Sequence, residues 1–165
     1  MKRIFFSVIL LISTVALNAK GKQCDLTFLN HQSKLHVVAD FSNTQILGAG
    51  DTQLAEWNAM LGEDSTLYVK RFYNGVVEGL GNRFLLVGNQ PNAEYKVLMI
   101  IEQVDSKGNV FATFRFSPMN DDIELCTLQM KGEGGRIGTF LSLFCDGMRS
   151  LGEEFGELIK KNTKK

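Results

Sequence analysis

Residues 93–117, AEYKVLMIIEQVDSKGNVFATFRFS, predict two neighbouring β-strands with a tight turn between them. Residues 93–105 and 110–117 are rich in apolar, β-branched and aromatic side chains, and SKGN at residues 106–109 is typical of a hairpin turn. A third run of this kind, IELCTLQM at residues 123–130, follows the turn sequence PMNDD. Because the connections are short, we expect the three strands to pair in antiparallel order.

In the sequence before and after these strands, apolar side chains recur at helical spacing. We expect one long helix at residues 65–80 and a second at residues 136–161. A short amphipathic helix is predicted at residues 51–61, and short strands at residues 35–41 and 83–88. This order predicts an α+β fold, a two-layer sandwich in which a mostly antiparallel sheet of roughly four to five strands carries two long helices on one face.

Both long helices contain glycines four residues apart, Gly75 with Gly79 and Gly152 with Gly156. Each interior glycine costs a helix roughly 1 kcal/mol relative to alanine. Because residues four apart share one side of a helix, we expect each pair to allow a close approach to a neighbouring surface.

The first 19 residues are typical of a secretory signal peptide. Lys2 and Arg3 precede an apolar stretch that ends at Leu17, and small and then polar residues follow. We therefore expect a signal peptide at residues 1–19 and one α+β domain at residues 20–165, with no transmembrane segment in the mature chain. Cys24 does not directly follow the apolar stretch, so we expect a periplasmic or secreted protein without a lipid anchor.

The charge balance argues against a nucleic-acid partner. The chain has 18 basic and 18 acidic residues, and removal of residues 1–19 takes away Lys2 and Arg3 but no acid. The mature chain is then slightly negative, whereas a nucleic-acid binder needs a clustered basic surface.

The three cysteines are an odd number for an exported protein, so at least one should be free or paired with another chain. Cys126 lies in a strand pattern and Cys145 on the apolar side of a helix, which is typical of small buried side chains. A Cys126–Cys145 disulfide is the alternative. The sequence has no CxxC and no Cys/His cluster at ligand spacing, so we expect neither a metal nor a cofactor.

The segment KGEGGRIGTF, residues 131–140, resembles a phosphate-binding loop in its glycine content. A dinucleotide fingerprint needs glycine at the sixth position, which is Ile137 when counted from Gly132, and no Gly-Lys-Ser/Thr ending is present. We interpret the segment as a strand-to-helix turn. The alternative is an anion site built from Gly134, Gly135 and Arg136, which would make the protein a small-molecule or anion carrier.

No catalytic constellation is recognisable in the sequence. Neighbouring acids such as Asp121 and Asp122, or Glu153 and Glu154, point to different sides of a strand or helix and make poor acid–base pairs. No serine or cysteine lies in a nucleophile motif or beside a histidine. We therefore predict no catalytic residues, and an enzyme is the least favoured alternative.

Three stretches carry a resemblance to known proteins: VADFS at residues 38–42, AEYKVLMIIEQVD at 93–105, and the glycine-led terminal helix with GEGGRIGTFLSLF at 132–144 and GEEFGELIKK at 152–161. They resemble small exported proteins of unknown function from gut Bacteroidetes. The fold they imply is similar to the TolB N-terminal domain and to the lipoproteins that activate peptidoglycan synthases. The resemblance implies an envelope protein that works through contacts, and it supplies no catalytic residues.

Both faces of the predicted sheet carry apolar side chains, and two helices can cover only one of them. The other face is predicted to hold Leu98, Ile100, Phe111 and Leu128. It needs a cover, either residues 42–63 or another chain. We hypothesise that it binds a protein partner or a second copy of the chain. The sequence thus predicts an exported noncatalytic protein of the cell envelope, an interaction or assembly module.

Overall fold

The computed structural model describes residues 24–63 and 65–163, so the predicted signal peptide at residues 1–19 lies outside the described residues. The strands of the described part are β1 (Lys34–Asp40), β2 (Gln45–Leu47), β3 (Leu86–Gly88), β4 (Tyr95–Asp105), β5 (Val110–Pro118) and β6 (Cys126–Gly132). The helices of the described part are α1 (Asp51–Glu63), α2 (Thr66–Leu80) and α3 (Phe140–Asn162). No described helix is both long and apolar enough to cross a membrane.

The six described strands form one mixed sheet in the order β3-β1-β4-β5-β6, with β2 also beside β4. β1 runs parallel to β3 and β4, β2 runs parallel to β4, and the pairs β4–β5 and β5–β6 are antiparallel. The α+β class is confirmed, but the prediction of a mostly antiparallel sheet of four to five strands is wrong. The chain passes through α1 and α2 between β1 and β4, and helical crossovers of this kind return a strand parallel to its neighbour.

The described helices share one side of the sheet, and the prediction that two long helices alone form this layer is wrong, because the short helix predicted at residues 51–61 also packs here. The third helix is α1, whose Trp57 packs edge-on against Phe144 of α3 with ring centroids 5.2 Å apart. Trp57 also contacts Phe41, which follows β1, at 6.3 Å. Because Trp57 and Met60 belong to the buried cluster that α2 and α3 share with the sheet, residues 42–63 do not cover the other face of the sheet.

The core lies between the sheet and helices α2 and α3. Phe114 and Phe116 of β5 are fully buried, and Phe114 stacks on Phe155 of α3 with centroids 4.7 Å apart. Phe72 of α2 contacts the same Phe155 ring at 5.6 Å. Large aromatic rings dominate the burial energy of a core, so this group of rings joins the two layers.

Helices α2 and α3 touch backbone to backbone, as their paired glycines predict. A Cβ atom on Gly75 would collide with the carbonyl oxygen of Arg149, and one on Gly152 would collide with that of Phe72. Gly79 and Gly156 meet the facing helix in the same way one turn further on. The spacing of these helices therefore depends on the absence of side chains at four positions.

Helix α3 begins at Phe140, four residues later than predicted. Gly138 has φ 141°, a backbone conformation that residues with a side chain rarely adopt. This non-helical residue prevents the helix from starting earlier. Thr139 then serves as the N-cap, and its side chain accepts a hydrogen bond from the amide of Ser142 at 3.3 Å. Arg136 therefore lies in a loop and not in the first turn of the helix.

The disulfide links Cys24 to Cys126, and the predicted Cys126–Cys145 alternative is wrong. Cys126 begins β6 opposite the buried Phe116, where the segment around Leu26 enters the core. The Cα atoms of the bonded cysteines are 5.4 Å apart, within the usual range. Cys145 is free and half-buried, and burial raises the pKa of its thiol although the nearby Arg71 guanidinium acts to lower it.

The turn between β4 and β5 is organised by one carboxylate. Asp105 Oδ1 accepts hydrogen bonds from the amides of Lys107 at 2.9 Å and Asn109 at 3.0 Å, and Oδ2 accepts one from the Asn109 side chain at 2.7 Å. Partial burial acts to raise the pKa of Asp105, but these hydrogen bonds outweigh it and lower the pKa below its usual value. The folded state therefore favours the ionised carboxylate.

We expect Asp105→Asn to lower the free energy of unfolding by about 1 kcal/mol at neutral pH. A buried charged group would contribute more, but water screens the largely exposed turn. A depressed pKa in the folded state contributes stability above the unfolded pKa, and that stability is lost as the pH falls through the folded pKa. The difference between variant and parent should therefore shrink below about pH 4. Urea unfolding at pH 7 and pH 3 measures it, and an equal difference at both values would contradict this account.

Candidate functional site

One face of the sheet carries no helix in the described part of the chain, and we call it the open face. Its residues lie in register across β1, β4, β5 and β6 and alternate with buried or half-buried residues on each strand. The open face consists of His36, Val38, Asp40, Lys96, Leu98, Ile100, Glu102, Phe111, Thr113, Arg115, Ser117, Thr127, Gln129 and Lys131.

The centre of the open face is apolar. Val38 and Leu98 are cross-strand neighbours, and Ile100 lies one position further along the same side of β4. The side chain of Val38 is 46% exposed, while Leu98 and Ile100 are half-buried. An exposed apolar cluster that no described helix covers is typical of a binding surface.

Polar groups surround this centre. Thr113, beside Ile100, is buried and donates its hydroxyl to Glu102 Oε1 at 2.6 Å. Phe111 lies at the far end of the face, with Lys131 Nζ 5.8 Å from its ring centroid, a distance at which a cation attracts an aromatic ring. The open face thus has the arrangement of an interface, an apolar centre with a polar rim.

The segment Met119–Leu125, which we call the strap, crosses the other end of the open face. Its ends are held by the amide of Met119, which donates to the Glu94 carbonyl at 2.7 Å, and by that of Leu125, which donates to the Phe116 carbonyl at 2.8 Å. The strap joins β5 to β6, where the sequence predicts a simple turn.

Two acids of the strap face two cations of the sheet. Asp122 Oδ1 lies 2.7 Å from Lys96 Nζ, and Glu124 Oε2 lies 3.9 Å from Arg115 Nε. The hydrogen bond from Lys96, with its charge, lowers the pKa of Asp122. Both pairs are solvent-exposed, so each adds little stability.

A depression of about 370 Å³ remains between the strap and the sheet. Val38 and Leu98 form its apolar floor. Lys96 and Arg115 line one side of it, and the strap acids Asp122 and Glu124 line the opposite side. The strap therefore lies over one end of the open face without filling the space beneath it.

The predicted interface residues do not all lie together. Leu98, Ile100 and Phe111 lie on the open face, but Leu128 lies opposite Phe114 and packs against the core. Leu128 faces the core because β6 pairs with β5 in a register that sets Leu128 beside the buried Phe114, and a shift of one residue would move every side chain to the other face.

The predicted anion site uses groups that are already hydrogen-bonded. The amide of Gly134 donates to Asn109 Oδ1 at 2.9 Å, and that of Gly135 donates to the Leu143 carbonyl at 3.4 Å. A Cβ atom on Gly134 would collide with the Lys107 carbonyl oxygen, so the glycine allows the loop to pack on the β4–β5 turn. Arg136 is exposed. The segment is therefore a strand-to-helix connection packed against its neighbours.

Residues that sequence reasoning missed are the cations Lys96 and Arg115 and the strap acids that pair with them. The available signal is the pattern of Asp122, Ile123 and Glu124, in which acids alternate with an apolar residue. Among the described residues, no group of three or more His, Cys, Asp or Glu side chains could hold a metal ion. His36 Nδ1 accepts a hydrogen bond from the Gln90 amide at 3.0 Å.

No family model matches this chain, and no curated protein matches it. Among solved structures, a PelC dodecamer from Paraburkholderia phytofirmans is similar, with 12% sequence identity and a TM-score of 0.42. The similarity covers 78% of this chain and 87% of that one. At this level the similarity carries no information about what the present chain binds.

Proposed function

We propose that this protein is an exported, noncatalytic protein of the cell envelope that binds a protein partner through the open face. The observation that carries the proposal is the apolar centre of exposed Val38 and half-buried Leu98 and Ile100, on a sheet whose other face is covered by three described helices. A face of this kind gains stability when a second surface removes it from water.

The chemistry of the open face favours binding over catalysis. Its ionisable side chains are engaged in local contacts: Asp40 accepts a hydrogen bond from the Ser42 amide at 2.9 Å, and Glu102 accepts one from Thr113. Proton transfer to or from a substrate needs an acid and a base that both point at it. Asp40 and Glu102 instead bind a backbone amide and a threonine hydroxyl. An apolar centre with charged surroundings is the arrangement of a partner-binding surface.

Export is supported by the leader-like residues 1–19 and by the Cys24–Cys126 disulfide, which suits an oxidising compartment. The slight negative charge of the mature chain also fits a protein partner better than a nucleic acid.

The test is affinity capture of the tagged protein after mild crosslinking in the cells that produce it, read by mass spectrometry. We expect Ile100→Glu to lose the captured partner, because it places a charge in the apolar centre where burial without a counter-charge is costly. The matched control is Val77→Glu, whose side chain is 66% exposed on α2, away from the open face.

Equal capture by the Ile100→Glu and Val77→Glu variants, both folded by circular dichroism, would contradict the proposed function. Recovery of the chain itself as the crosslinked partner, lost only in Ile100→Glu, would identify the partner as a second copy. Sedimentation of the parent and Ile100→Glu proteins would then show a concentration-dependent dimer for the parent alone.

A further inference from the structure

We propose that the open face recognises an extended segment in which acidic and apolar residues alternate, and that this segment takes the place of the strap. The inference rests on the proposed function and names the chemistry of the partner. The strap is an internal copy of such a segment, bound weakly to the site that the partner takes.

The strap shows the spacing that the site accepts. Asp122 and Glu124 are two residues apart, and they meet Lys96 and Arg115. These cations lie diagonally across neighbouring strands, because Arg115 pairs with Leu98, two residues after Lys96. Alternate side chains of an extended chain point the same way, about 6.6–6.8 Å apart. An extended segment with carboxylates at alternate positions can therefore reach both cations at once.

The strap is held loosely between its two ends. Asp122 is 97% exposed, and the Arg115–Glu124 pair is 3.9 Å apart. The amide of Asp121 donates to the Pro118 carbonyl at 3.3 Å and that of Ile123 to Asp121 Oδ1 at 3.0 Å, so these bonds join residues two or three apart and do not attach the middle of the strap to the open face. Ion pairs between exposed side chains contribute little, so displacing the middle of the strap costs little.

The apolar residues of the strap do not reach the floor of the site. Ile123 is 64% exposed, Leu125 is 42% exposed, and neither of them lines the depression of about 370 Å³. Val38 and Leu98 on the floor remain available for burial. A partner segment that places an apolar side chain into this depression gains contacts that the strap does not make.

The sheet beneath the strap is basic. Without the strap acids, Lys96 and Arg115 flank the apolar floor, and Lys131 adds a third cation near Phe111. Asp40 and Glu102, the acids of the neighbouring rows, already accept hydrogen bonds from Ser42 and Thr113. Charge complementarity therefore selects an acidic segment and disfavours a basic one.

The test supplies the strap from outside as a labelled peptide of residues 118–125, PMNDDIEL, and compares it with its amide counterpart PMNNNIQL. The full mature protein carrying Asp122→Asn and Glu124→Gln has a strap that no longer competes through charge. We expect it to bind the acidic peptide about threefold more tightly than the parent does, because the internal strap loses two exposed ion pairs of modest strength that compete for Lys96 and Arg115. Fluorescence anisotropy measures the binding.

Two controls define the site. Adding Lys96→Gln and Arg115→Gln to the strap variant should return the affinity to the parent level, and raising the salt from about 0.05 M to about 0.5 M should weaken it. Thermal melting shows that each variant is folded. Equal binding of the acidic and amide peptides, or no gain in the strap variant, would overturn the proposal.

The outcomes separate this inference from the proposed function. If the strap variant gains no affinity while Ile100→Glu still loses the captured partner, the open face binds a protein but not by displacing the strap. If the peptide binds as expected while Ile100→Glu retains the partner, the basic site exists but the captured partner uses another surface.

Discussion

Gly75→Ala should lower the free energy of unfolding by about 3 kcal/mol, at the upper end of the cost of overpacking. The new methyl group would meet the carbonyl oxygen of Arg149 and lie 2.8 Å from the amide nitrogen of Glu153. Both are backbone atoms, so no side-chain rotation relieves the contact. The two helices must separate, which loosens the contact between Phe72 and Phe155.

The matched control is Gly62→Ala in α1, where an added Cβ would have no atom within 4 Å. This substitution should raise the free energy of unfolding by up to about 1 kcal/mol, the helix propensity gained on replacing glycine by alanine. Urea unfolding followed by circular dichroism measures both variants. A Gly75→Ala protein as stable as the parent would mean that α2 and α3 lie further apart than described.

Removal of the disulfide through Cys24→Ser and Cys126→Ser should lower the free energy of unfolding by about 3–5 kcal/mol. The bond joins residues 102 positions apart, and a closed loop of that length strongly restricts the unfolded chain. It also secures the segment that carries Leu26 and Leu29, both almost fully buried in the hydrophobic core. The unfolded state gains freedom while the folded state loses an anchor.

Cys145→Ser is the matched control, because Cys145 forms no disulfide and is only partly buried. We expect it to change the free energy of unfolding by less than about 1 kcal/mol. Thiol titration of the unfolded, oxidised protein should find one thiol per mature chain. A proteolytic fragment that joins Cys126 to Cys145 would contradict the observed pairing.

The elements with strong local patterns could be predicted from the sequence. The β4–β5 hairpin follows from two apolar runs around SKGN, and α2 and α3 follow from apolar residues at helical spacing. The parallel pairing of β1 with β4 could not be predicted, because it joins Val38 to Leu98 across the helices between them. No local pattern encodes which distant strand becomes a neighbour or in which direction it runs.

The face of β6 and the disulfide escaped prediction for related reasons. Leu128 is apolar but its face cannot be read from the sequence, because only the register of β6 on β5, which sets Leu128 beside Phe114, decides which face it occupies. The partner of Cys126 depends on where the N-terminal segment packs, which is a property of the tertiary fold.

The candidate site was predicted in part. Alternation along β4 and β5 indicates that Leu98, Ile100 and Phe111 share an uncovered face, and the structure places them there. The sequence of the strap predicts only a turn. Its position over the open face depends on Lys96 and Arg115, which lie beneath it only in the folded sheet. A segment that is defined by what it covers cannot be recognised before the sheet is assembled.

The central claim is that the open face binds a protein partner in the cell, and site-specific photo-crosslinking tests it most directly. A photoreactive residue at Phe111 samples the open face, and one at Val77 samples the exposed side of α2. The account predicts a discrete crosslinked product from Phe111 and none from Val77. No product from Phe111, or the same products from both positions, would contradict it.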